Sequence, residues 1–177
     1  VGVDNTVTGS RGSAFGYGNH AWEGSSAFGY GNTASDLNNS AFGYRNTATS
    51  EYSSAFGYNN NARGHGSGAV SGLVDRDGDD QGTLDLDLDG DSINESSSET
   101  SRATGRSAVA LGAGALATGE FSSAVGVGNT ASQDRSSAVG YRNTASGFAS
   151  SAFGFTNTAS GYGSSAFGFL NTTAGTY

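Results

Sequence analysis

Large apolar residues enter this chain at alternate positions in short bursts, as in Ser40-Ala41-Phe42-Gly43-Tyr44, and a polar stretch such as Arg45-Asn46-Thr47 follows each burst. Alternation with a period of two is the pattern of a β-strand, not of a helix. The bursts recur. Ser-Ala-Phe-Gly-Tyr begins at Ser13, Ser26, Ser40 and Ser54, and variants return at Ala124–Val127, Ala138–Tyr141, Ala152–Phe155 and Ala166–Phe169. The residue before the glycine serves as a register mark: Val1, Phe15, Phe28, Phe42, Phe56 and Val70, then Leu111, Val125, Val139, Phe153 and Phe167. Apart from the step of thirteen at Phe15–Phe28 and the long gap from Val70 to Leu111, the marks are fourteen apart. Glycine follows all of them except Val70, where Ser71 stands, and asparagine stands four residues after nine of them, from Asn5 to Asn171.

A fourteen-residue unit is too short for helical-hairpin repeats, which need about 30 residues or more. It suits one coil of a parallel β-solenoid, with two short strands and two turns, each strand pairing with its equivalent in the next coil about 4.8 Å away. About eleven such coils form an all-β rod on the order of 50 Å long. Within the burst, Phe42 and Tyr44 share one face and Ala41 and Gly43 the other. Packing large against small then predicts an interior filled by the aromatics from one wall and by Ala34, Ala48, Ala131, Ala145 and Ala159 from the opposite wall. The bare Ala/Gly face is left for close approach by a neighbouring subunit. The recurring asparagines read as structural, since Asn tolerates left-handed turns and stacked amides bond from coil to coil.

Composition changes the picture in three ways. Only 34% of the 177 residues are hydrophobic, which with a net charge of −8 would suggest disorder, but ten Phe, eight Tyr and one Trp set in phase argue for a folded repeat. With no cysteine there is no disulfide, thiol nucleophile or thiolate metal site, and His20 and His65 offer little for a histidine-based one. The acidic balance disfavours nucleic acid and anionic membranes, and no run approaches the roughly 18 apolar residues of a membrane span. The absence of an initiating methionine reads as a processed or excised chain.

The long step between Val70 and Leu111 is acidic: Asp75, Asp77, Asp79 and Asp80 precede Asp85, Asp87, Asp89 and Asp91. The chain is therefore divided into roll repeats at 1–70 and 107–177 around an insert at 71–106, with Glu95 to Arg106 read as a polar loop returning to the roll. Asp85-Leu-Asp87-Leu-Asp89-Gly90-Asp91 carries the Asp-x-Asp-x-Asp-Gly opening of a calcium loop, in which alternate carboxylates and a glycine turn wrap one hard cation. The closing position holds Ser96 where a bidentate acid belongs, with Glu95 beside it. The expected Ca2+ ligands are Asp85, Asp87, Asp89, Asp91 and Glu95. In the plainer alternative, Thr83–Asp89 is an alternating strand with solvated aspartates.

Ser107-Ala-Val-Ala-Leu-Gly-Ala-Gly-Ala-Leu-Ala-Thr-Gly119 and Ser123-Ala-Val-Gly-Val-Gly-Asn-Thr-Ala-Ser132 resemble the head repeats of trimeric autotransporter adhesins of the YadA type, found also in some phage fibres. The resemblance implies a left-handed β-roll, side-by-side association into a homotrimer, and adhesion to host matrix, surfaces or other cells, without catalytic residues. It also implies an extracellular, cell-surface or virion-surface location and a protein or glycan receptor. Phe and Tyr stand where aliphatics are commoner in that family, and no coiled-coil neck is present.

Competing readings are an ice binder, an end-to-end filament and an enzyme. Thr6-Val-Thr8, Thr33-Ala-Ser35, Thr47-Ala-Thr49, Thr130-Ala-Ser132, Thr144-Ala-Ser146 and Thr158-Ala-Ser160 fall in register as an ice-binding ladder would. Uncapped strand edges at either end would permit head-to-tail stacking. The insert's carboxylates could be cast as a glycosidase pair, but acidic runs are ordinarily solvated or metal-bound, so a non-enzyme is expected.

Overall fold

The computed structural model describes residues 1–71 and 100–175. Each coil contributes one long strand, such as Ser40–Tyr44, and one short strand, such as Thr47–Ala48. The long strands form one parallel sheet of eleven and the short strands a second, each pairing only with its equivalents in the coils before and after. Register is kept residue for residue: Ala41 faces Ala55, Phe42 faces Phe56 and Tyr44 faces Tyr58. The result is a β-solenoid of about ten turns with no helix among the described residues.

The interior is the reverse of the one expected from side-chain size. Each coil turns four small residues inward, for example Ala41, Asn46, Ala48 and Ser53, all with 0% exposure. The aromatics stand on the outer face of the long-strand sheet, and the alanine face lines the bore instead of meeting a neighbour. The cause is geometric. Sheets that hold large side chains between them sit about 10 Å apart, whereas corners of a few residues and a two-residue second strand close the coil around alanine. A low apolar fraction is therefore enough to fill it. Ala145→Val should overpack the bore and cost about 1–3 kcal/mol, read as a lower urea midpoint. An unchanged midpoint would mean that the bore has room to spare.

Asparagine supplies the interior's polar seam. Asn46 Nδ2 shares its two hydrogens among Asn32 Oδ1 (3.1 Å), the Phe42 carbonyl (2.8 Å) and the Gly57 carbonyl (2.7 Å). Its own Oδ1 accepts from the backbone N–H (3.0 Å) and Nδ2 (3.1 Å) of Asn60. Each amide thus joins three coils, as the stacked reading anticipated. Left-handed residues stand just before the ladder asparagines, such as Arg45 (φ 54°) and Arg142 (φ 51°), and at the other corner of the coil, such as Tyr52 (φ 60°) and Arg135 (φ 59°), but not on the ladder asparagines themselves.

The roll resumes earlier than the sequence division at 107. Arg102–Ala103 is a short strand paired with Asn61–Ala62, Ser101 and Ala103 are buried, and Val70 faces Leu111 across the next register. The step of 41 is therefore a single coil, carrying extra residues between Ser71 and Thr100. The segment from Arg102 to Arg106 belongs to the repeat and not to a returning loop.

Candidate interaction surface

Alternation along each long strand puts Phe and Tyr outward on either side of a glycine, and exact register stacks them into two columns. Phe28, Phe42 and Phe56 lie with centroids 4.9 and 5.2 Å apart, and Tyr17, Tyr30, Tyr44 and Tyr58 at 5.2, 4.9 and 5.0 Å. Beyond the insertion the columns resume as Phe153–Phe167 and Tyr141–Phe155–Phe169. Exposure reaches 54% at Phe15, 61% at Phe167 and 65% at Phe169, where the columns end. Arg45 and Arg142 lie against the second column, their guanidinium carbons 5.2 and 5.5 Å from the Tyr44 and Tyr141 ring centroids.

Offset stacking satisfies ring against ring and adds modest stability per pair. It also limits what the columns can bind. The rings turn their faces to one another and their edges to solvent, so within a column no ring face is free to lie on a sugar. What remains is a long apolar ridge-and-groove surface with the period of the coils.

A second line of aromatics follows the far corner. Tyr52 meets His65 edge-on at 5.6 Å, Phe148 stacks on Tyr162 at 5.1 Å, and Arg106 and Arg135 lie over Phe121 and Phe148. His65 Nε2 is 3.7 Å from Glu51 Oε2, a solvent-exposed pair, and His20 Nε2 lies 3.3 Å from Thr8 Oγ1. Among the described residues no cluster of three or more His, Asp or Glu could hold a metal. Asp85, Asp87, Asp89, Asp91 and Glu95, the expected calcium ligands, lie outside the described residues.

On the short-strand sheet the hydroxyl columns are interrupted. His20, Asn61, Arg102 and Leu116 occupy the same register column as Thr33, Thr47, Thr130, Thr144, Thr158 and Thr172. An ice-like lattice of threonines is unbroken only over two coils near the first end and four near the second. The sequence placed the aromatic columns correctly in phase but on the wrong side of the sheet. The signal that could have corrected this was the invariance of alanine at the intervening position, since a solvent face tolerates many residues and a narrow bore few.

Comparison with curated proteins found no match. A sequence profile described as YadA head domain repeat (2 copies) matches at residues 23–46, 40–60, 48–67, 103–128, 117–143 and 145–171, more than half of the chain. The matched segments are the stacked coils on both sides of the insertion, and the chain belongs to the YadA head-repeat family.

Proposed function

We propose that this chain is the adhesive, non-enzymatic head segment of an extracellular fibre, and that it works as a side-by-side homotrimer joined through the Phe and Tyr columns. YadA head repeats are typical of adhesins, which supports the adhesive role in general terms. The observation that carries the reading is the aromatic face. Solitary soluble proteins rarely keep an apolar patch larger than a few hundred Å² in water, yet here nearly every coil directs its large apolar side chains outward. A second copy with the same rise per coil meets such columns rung for rung, so contact area grows with length.

Sedimentation equilibrium of the intact chain should return three times the chain mass. Phe28→Glu with Phe42→Glu should shift it to the monomer without loss of β-sheet circular dichroism, because those rings contribute nothing to the bore. A wild-type monomer, or a double variant that stays associated, would refute the interface. For adhesion, beads coated with the trimer should be retained under flow on cell monolayers more than albumin-coated beads. Equal retention would overturn the adhesive reading while leaving the assembly standing.

A further inference from the structure

Coupling between coils is not uniform along the rod. Main-chain bonds between coils continue on both sides of Leu111, as from Gly112 N–H to the Val70 carbonyl (2.9 Å) and from Gly128 N–H to the Ala113 carbonyl (2.8 Å). The asparagine ladder, in contrast, lapses between Asn60 and Asn129. Asn60 Oδ1 is met by the hydroxyls of Ser71 (2.5 Å) and Ser101 (2.9 Å), and the following coil has Ala115 where the amide belongs.

Alanine offers neither the donor nor the acceptor that the other coils use. Asn143 and Asn157 donate their backbone N–H to the preceding asparagine Oδ1 at 2.9 Å, whereas Asn129 has the Ala115 methyl in that place. The ring stack lapses as well, since the marks between Phe56 and Phe153 are Val70, Leu111, Val125 and Val139.

Two physically separate couplings thus weaken together, the buried amide ladder and aromatic stacking, while main-chain pairing continues. In a solenoid each coil touches only its neighbours, so stability is a sum over interfaces and opening begins at the weakest. We propose that the coils from Ser101 to Asn129 are a built-in joint, at which the rod parts before either flanking block unravels. Under axial load the chain then yields at a fixed place and keeps two folded blocks that can close again. This inference rests on coil geometry and not on the adhesive reading.

Hydrogen exchange of the intact assembled chain, followed by mass spectrometry, tests it. Peptides across Val109–Ala117 should exchange at least about tenfold faster than those across Ala41–Ala48 or Ala138–Ala145, the scale expected when more than one hydrogen bond per coil is missing. Ala115→Asn should restore the ladder and slow exchange at the joint alone. Ser101→Ala, which removes the bonds to Asn60 Oδ1 and the Ala110 carbonyl, should accelerate it there alone. Uniform protection along the rod overturns the proposal, as does a folded Ala115→Asn chain whose joint exchanges as before. If Ala115→Asn does not fold, an unchanged joint in Ser101→Ala is the refuting result.

Discussion

Asn46→Asp is expected to destabilise the rod by about 3 kcal/mol or more, although it exchanges one amide nitrogen for an oxygen. Asn46 is fully buried, and its Nδ2 faces three oxygens, on Asn32, Phe42 and Gly57. A carboxylate there turns every one of those contacts into acceptor against acceptor and leaves a buried charge unpaired, the situation with the heaviest known penalties. The loss should depend on pH. Burial among acceptors disfavours the charged form, so the introduced acid has a folded pKa above its unfolded value of roughly 4. The folded state then binds more protons than the unfolded state over that window. Stability relative to the parent falls as pH rises from about 4 and levels off above the folded pKa. Paired urea melts at pH 3.5 and pH 7 measure this, and an equal deficit at both would show that charge is not the cause.

The second large effect is expected at Gly43. Its φ is +119°, a region that side chains rarely enter, and an added Cβ would stand 2.1 Å from the Gly57 carbonyl oxygen and 3.0 Å from Asn46 Nδ2. Nothing there can yield cheaply, because the first obstacle is the main chain of the next coil and the second is the amide ladder. Gly43→Ala should therefore cost about 3 kcal/mol or more, combining backbone strain with the broken contact to the next coil. Gly18 is the control. It too has positive φ, at +63°, but nothing lies within 4 Å of its would-be Cβ, and Arg45, Asn59 and Arg142 hold the same left-handed position in other coils. Gly18→Asn should leave the thermal midpoint within a few degrees of the parent. If both substitutions are tolerated, the repeated glycine is not required by the fold.

These two positions also mark how far the repeat could be read before the fold was known. The phase of Gly43 and Asn46 is visible in the sequence, and with it the coil length, the parallel pairing and the asparagine stack. The alternation in Ser40–Tyr44 shows which residues share a face but not which face looks inward. Size favoured Phe42 and Tyr44, and the structure chose Ala41. The return of the roll at Arg102–Ala103 was missed for a related reason. Ser101 stands where the ladder asparagine would be, so the usual mark was absent, although counting back from Leu111 reaches the right phase. The aspartates from Asp85 to Asp91 carry a spacing suited to calcium, a reading that rests on sequence alone.

What the sequence determined by itself was periodic: a fourteen-residue coil, strands in register, glycine and asparagine at fixed phases, and family membership carried by the same repeats. Only the tertiary structure decided inside from outside and where the extra residues leave the coil. Periodicity is a one-dimensional property and survives in the chain as written. The sidedness of a sheet is set by the distance at which the two walls of a coil close, and here the corners and the two-residue second strand bring those walls too near for an aromatic side chain.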